Sequence, residues 1–159
     1  MDEKSTRDGA SVRFPPPLVP VIALVVGLAL QHFVARISIV EAGSLPLVLA
    51  FVFGGAGIVL IASALRLFHA SGQDPKPWEA TPEIIATGIY AYTRNPMYLG
   101  MGLLQAGIGF GLDNGWIVGL VPVSWLLIYT IAIRHEEAYL TRKFGSAYID
   151  YTTVVRRWL

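Results

Sequence analysis

At 159 residues the chain is one domain by length, but 54% of it is apolar, only 14% is charged and its mean hydropathy is +0.56. Soluble domains carry roughly 25% charge, so the composition points to a membrane. A net charge of +1 gives no electrostatic case for nucleic acid as a partner, and the absence of cysteine excludes disulfides, thiolate metal sites and a cysteine nucleophile.

Four windows lack charge altogether: Phe14 to Ala35, Leu45 to Leu65, Asn95 to Leu112 and Asn114 to Ile133. Crossing a hydrocarbon core of ~30 Å takes about 20 apolar residues, and backbone groups in lipid must bond internally. The fold class read from this is all-α: a polytopic membrane protein with about four transmembrane helices plus a cytoplasmic C-terminal helix. The spans fall at roughly residues 16–36, 45–67, 95–112 and 115–134, with a loop at 69–94 and a tail at 135–159. The first window could instead be the apolar core of a signal peptide, but its length and the weak cleavage pattern after it favour a retained anchor. Asp113-Asn114-Gly115 is the turn of a tight hairpin between the third and fourth spans.

Lysine and arginine set the orientation. Lys4, Arg7 and Arg13 precede the first span. Arg66, Lys76 and Arg94 lie between the second and third, and Arg134, Arg142, Lys143, Arg156 and Arg157 follow the fourth. Only Arg36, near Glu41, falls on the other side. Both termini and the 69–94 loop are therefore expected in the cytoplasm, of a bacterial inner membrane, and any site is expected there too.

Two cytoplasmic segments carry the polar chemistry. In the first, Pro75, Pro77 and Pro82 stiffen the loop into a connector or a wall over a site. Asn95-Pro96 then opens a helix, the Asn expected to cap free backbone N–H groups and the Pro to occupy the first turn. With Arg94 beside that helix N-terminus and Tyr98 one turn in, the spot suits a carboxylate. In the second segment, Glu137 has Arg134 at i−3 and is expected to form an ordinary surface pair. Glu136 has no cation at i±3 or i±4, so it is the carboxylate more suited to a ligand's hydroxyls or ammonium group. The closing Val154-Val155-Arg156-Arg157-Trp158-Leu159 reads as an interfacial anchor facing lipid headgroups.

Gly107-Ile108-Gly109-Phe110-Gly111 mimics a nucleotide-binding loop but ends a transmembrane segment, where close helix packing is the expected role. His32, His69 and His135 are far apart, and His135-Glu136-Glu137 lacks the second histidine of a zinc motif, so no metal site is expected.

Gly88, Tyr90, Arg94, Asn95, Pro96, Tyr98 and Gly100, followed by Glu136, Glu137, Phe144, Gly145, Tyr148 and Tyr151, together resemble the isoprenylcysteine carboxyl methyltransferase and phospholipid methyltransferase group of membrane enzymes. The resemblance runs from about Thr81 to Trp158. Ile89 and Ala91 replace the group's usual proline and arginine, and Asn95 stands where carboxyl methyltransferases have histidine. The resemblance implies an S-adenosylmethionine-dependent methyltransferase, with S-adenosylhomocysteine as product. It implies cofactor binding by Gly88, Tyr90, Arg94, Asn95, Pro96, Tyr98, Gly100, Glu136 and Glu137, and a lipid or other lipophilic acceptor entering from the bilayer. The acceptor atom (carboxylate, amine or thiol), a general base and the oligomeric state are left open. The rival reading is a non-catalytic transporter or assembly factor on the same scaffold.

Overall fold

The computed structural model describes residues 9–39 and 43–159. Lys4, Arg7 and Glu41, which entered the orientation argument, lie outside them. Among the described residues there are seven α-helices: α1 Leu18–Phe33, α2 Leu45–Ala70, α3 Pro96–Gly111, α4 Gly115–Gly119, α5 Val121–Ile128, α6 Arg134–Phe144 and α7 Ser146–Val154. A 3₁₀ turn, Gly88–Ala91, precedes α3, and a π-turn, Tyr129–Ile133, joins α5 to α6.

Among the described residues, two helices are long and apolar enough to cross a membrane: α2, and the continuous rod Gly115–Phe144 formed by α4 to α6. Only 6% of the most apolar window of α2 is buried, so α2 is not the core helix of a soluble protein. Its exposed residues include Leu47, Phe51, Val52, Ile58 and Val59, and α1 adds Val21, Ile22 and Val25. An apolar surface of this extent is that of a protein in lipid. The remaining two expected spans, α1 and α3, are 16 residues each, about 24 Å of helix against a ~30 Å core. Beyond residue 134, where a C-terminal helix was expected, helix runs on to Phe144.

Glycines on α3 set how closely the helices approach. Gly100 and Gly107 face α2: a Cβ on Gly107 would lie 2.5 Å from the Gly54 backbone nitrogen, and one on Gly100 2.8 Å from the Gly57 oxygen. Gly102 and Gly109 face the other way, against the Trp125 indole and against Ile117 and Val118. Two pairs spaced seven apart thus give α3 two flat faces, the small-residue packing that apolar helices use in lipid. The expected packing role of the Gly107–Gly111 run is what the structure shows. Gly27 brings α1 equally close to Ile117.

The two ends of the bundle differ. At one end, the Asp113 carboxylate accepts from the Ser38 hydroxyl (2.5 Å) and the Ile39 amide (2.8 Å). Asn114 caps α4 through the Ile117 amide (3.1 Å) and donates to the Gly27 carbonyl (3.2 Å). Arg36 lies at this end. The opposite end gathers the 71–95 loop, residues 9–17 and the C-terminal tail, and holds the other described basic residues.

Candidate functional site

At that second end, α3 starts where its sequence predicts, yet its capping differs. Asn95 is the N-cap residue, but its side chain makes no cap hydrogen bond; it donates to the Arg157 carbonyl (3.1 Å). The same carbonyl accepts from the Thr93 hydroxyl (3.2 Å), and the Arg94 amide donates to the Arg156 carbonyl (3.0 Å). The returning tail outcompetes the local cap because Asn95 is buried and an unpaired carbonyl there would be costly.

The tail therefore does not simply lie outward. Trp158 stacks near Trp125, with ring centroids 6.0 Å apart, and the Arg157 guanidinium sits 5.0 Å from the centre of the Tyr129 ring. Arg156 alone of its basic pair stays exposed.

Glu137 does not pair with Arg134. Its carboxylate accepts two bonds of 2.9 Å from Arg157 Nε and Nη2 and lies 3.2 Å from Arg94 Nη1. An exposed i−3 pair is worth a few tenths of a kcal/mol. A bidentate guanidinium and a second cation at a partly buried carboxylate are worth more. Their attraction to Glu137 holds Arg157 in its charged form. Glu137 is thus the clamp that ties tail, α3 and α6 together.

Glu136 points elsewhere. Tyr98 donates its phenol proton to Glu136 Oε1, joining α3 to α6. No cation lies within ion-pair distance of Glu136 among the described residues. The π-turn inserts one extra residue before α6 and so rotates the following helix by roughly 100°, which sets the phase that sends Glu136 to α3 and Glu137 to the tail.

Above the Glu136–Tyr98 contact opens a cleft of about 110 Å³. Its walls come from both halves of the chain. Tyr90, Arg94, Asn95, Met97 and Tyr98 enter from around the α3 start, Glu136 and Tyr139 from α6, and Tyr148 and Tyr151 from α7. The proline-rich loop supplies Gln73, Pro75, Pro77, Ile84 and Ile85. That loop is held by the Ala10 amide on the Pro77 carbonyl (2.9 Å) and by the Thr81 amide on the Tyr139 hydroxyl (3.2 Å). The Tyr151 hydroxyl donates to the Tyr90 carbonyl (2.6 Å).

Of the nine residues expected from the sequence, the structure gathers Tyr90, Arg94, Asn95, Tyr98 and Glu136 on the cleft wall. Gly88, Pro96, Gly100 and Glu137 do not line it. Gly88 has a φ of +57° at the entry to the 3₁₀ turn, Pro96 is the buried first residue of α3, Gly100 packs on α2, and Glu137 clamps the tail. Tyr139, Tyr148, Tyr151 and Gln73 were missed. Tyr148 and Tyr151 sit in the motif already noted, three residues apart on one face of α7, which was the available signal.

Burial pushes the Tyr151 phenol up to about 12, with Tyr148 beside it as the second cause. Tyr148 is raised by burial and then by Glu137, and Tyr90 by burial and then by Glu136. These phenols stay neutral at physiological pH and offer π-faces and hydroxyls rather than bases. Two polar groups in the cleft wall are buried without a hydrogen-bond partner among the described residues: Arg94 Nε and the side-chain amide of Gln73. The cleft therefore combines a carboxylate without a cation, aromatic faces, an unmet guanidinium N–H and an unmet amide. That set matches a ligand bearing both positive and negative charge.

Comparison with known proteins agrees in direction. The phospholipid methyltransferase family model matches residues 45–147 of the 159. A protein-S-isoprenylcysteine O-methyltransferase of the fission yeast Schizosaccharomyces pombe is 34% identical over 68 residues, covering 43% of this chain. The aligned stretch spans 29% of that relative.

Proposed function

Because the chain belongs to the phospholipid methyltransferase family, we propose that its cleft binds S-adenosylmethionine and that the protein methylates a lipophilic acceptor at the cytoplasmic surface of the membrane. The observation that carries this reading is the meeting of Tyr98 and Glu136 at a cleft built from both motif segments.

The residues present fit the cofactor. The unmet Arg94 Nε and the uncapped first turn of α3 suit its carboxylate, and Glu136 suits its ammonium group or ribose hydroxyls. Tyr90, Tyr98, Tyr139 and Tyr148 line the cleft and would offer their rings to its sulfonium, a cation that aromatic faces attract. Gly88, Pro96, Gly100 and Glu137 act one step back, by fixing the backbone and the Arg94 side chain. When bound, the cofactor supplies an electrophilic methyl group.

For the chain itself, the work is alignment and exclusion of water. Glu136 is held by Tyr98, Arg94 by Glu137, and the loop by Ala10 and Tyr139, so the wall is pre-ordered before ligand arrives. A carboxylate or thiolate acceptor needs no base at the transfer step; an amine must shed its proton first. A second, more open cleft of about 250 Å³, lined by Trp125, Leu126, Tyr129, Arg157 and Trp158, suits the acceptor's hydrocarbon. Four spans with both termini in the cytoplasm remain the topology that the basic residues at the cleft end support, with α1 and α3 seated in the bundle beside the two longer helices.

The test is ultraviolet crosslinking of methyl-labelled S-adenosylmethionine to the detergent-purified protein, followed by peptide mapping. Saturable label on peptides holding Tyr90 to Tyr98 and Glu136 to Tyr151, competed by S-adenosylhomocysteine, is expected. Label that fails to saturate, or that maps to the Asp113 end of the bundle, would overturn the reading.

A further inference from the structure

Helix α2 ends in a way that fixes one side chain. Gly72, with φ +68°, donates its amide to the His69 carbonyl (3.2 Å), and the Gln73 amide donates to the Phe68 carbonyl (2.9 Å). This pair of bonds is the Schellman stop, which needs the left-handed conformation that glycine adopts at little cost. The residue after the glycine in such a stop commonly makes an apolar contact back onto the helix. Here that position holds Gln73, only 5% exposed, in the cleft wall. Among the described residues, neither its Oε1 nor its Nε2 has a hydrogen-bond partner. A buried amide left unmet costs stability, and an apolar residue of the same shape would avoid that cost.

We infer that Gln73 reads the adenine edge of the nucleoside that the cleft binds. The inference rests on the cofactor reading above and goes beyond it. A carboxamide presents one donor and one acceptor side by side. Adenine presents the complement, the N6 amino donor next to a ring-nitrogen acceptor, and glutamine pairs with it through two hydrogen bonds. The other polar parts of the cofactor match other groups: its carboxylate only accepts, its ammonium only donates, and Arg94 and Glu136 already suit them. The same cleft holds Phe68, Pro75, Pro77, Ile84 and Ile85, apolar surfaces fit for the faces of a flat base. Phe68 is itself held edge-on to the Tyr90 ring at 6.0 Å. The proline-rich loop is then a base-recognition element and not only a connector.

The experiment titrates the full-length protein in nanodiscs with S-adenosylhomocysteine, with its 6-desamino purine analogue and with its 2′-deoxy analogue. Wild-type protein is expected to bind S-adenosylhomocysteine roughly 10- to 100-fold more tightly than the desamino analogue. Gln73→Met, similar in shape but apolar, is expected to lose that affinity and the discrimination together, while its thermal midpoint without ligand stays level or rises. A purely structural glutamine would lower the midpoint instead. Gln73→Asn, which withdraws the amide by one methylene, is expected to give the same loss and serves if the Met variant does not fold. Wild-type binding of S-adenosylhomocysteine without preference over the desamino analogue, or a preference that both variants retain, would overturn the role of Gln73 and leave the cofactor reading intact. So would variants that lose discrimination only against the 2′-deoxy analogue. No binding of any of the three by wild-type protein would overturn both.

Discussion

Glu137→Ala separates the clamp from the site. The substitution removes two 2.9 Å bonds to Arg157 and the 3.2 Å pair with Arg94, and it leaves two guanidiniums facing each other. The Arg157 side chain is 36% exposed, so its share is screened to about 1 kcal/mol. Arg94 is only 12% exposed and Glu137 20%, so losing that contact costs about 1–2 kcal/mol more. The sum is about 2–3 kcal/mol, and for a chain of this size each kcal/mol shifts the thermal midpoint by roughly 2–4 °C. Differential scanning fluorimetry in detergent is therefore expected to show a drop of about 4–12 °C. Limited proteolysis is expected to release the Val155–Leu159 tail, because its bonds to Thr93, Arg94 and Asn95 depend on the same anchor. A midpoint shifted by less than about 2 °C, with the tail still protected, would refute the clamp.

Other outcomes follow from the same geometry. Glu136→Ala is expected to weaken S-adenosylhomocysteine binding more than Glu137→Ala does, in isothermal titration, while costing less in thermal midpoint; equal losses of affinity would sink the division of labour between the two carboxylates. Gly107→Val places side-chain atoms where even a Cβ would sit 2.5 Å from Gly54, and it should separate α2 from α3 and abolish folded protein on size exclusion. At alkaline pH the sign is set by the buried phenols. Tyr151 is raised to about 12 in the folded state against about 10 unfolded, so its stabilising contribution is complete below pH ~10 and is lost as pH rises towards 12. Tyr151→Phe should flatten the loss of thermal midpoint across that window; an unchanged slope would contradict it.

Much of the framework was legible from sequence because it rests on local physics. Charge-free windows located α2 and the Gly115 rod, and Asn95-Pro96 marked the start of α3 to the residue. It was legible too that Glu137 is ion-paired while Glu136, among the described residues, is not, but the partner named, Arg134, was the wrong one. Helical spacing could name Arg134 as a partner, but not Arg157, twenty positions away across a turn. The same blindness hid the tail, whose carbonyls captured Asn95 and Thr93 from more than sixty residues away. Gln73 gave no signal at all: a polar residue after a glycine looks like solvent-facing loop until burial shows otherwise. The Gly9–Val12 segment was equally silent, although Ala10 and Val12 are buried in the core with Tyr98 and Tyr139, and the Ala10 amide holds the Pro77 carbonyl.

The central claim, that this cleft is a methyl-donor site, is tested most directly by calorimetric titration of S-adenosylhomocysteine into wild-type protein, Tyr98→Ala and Glu136→Ala, each first shown to be folded. Saturable binding with one site per chain, lost in both variants, is the result expected. Binding that survives both substitutions, or none by folded wild-type protein in detergent and again in nanodiscs, would contradict it.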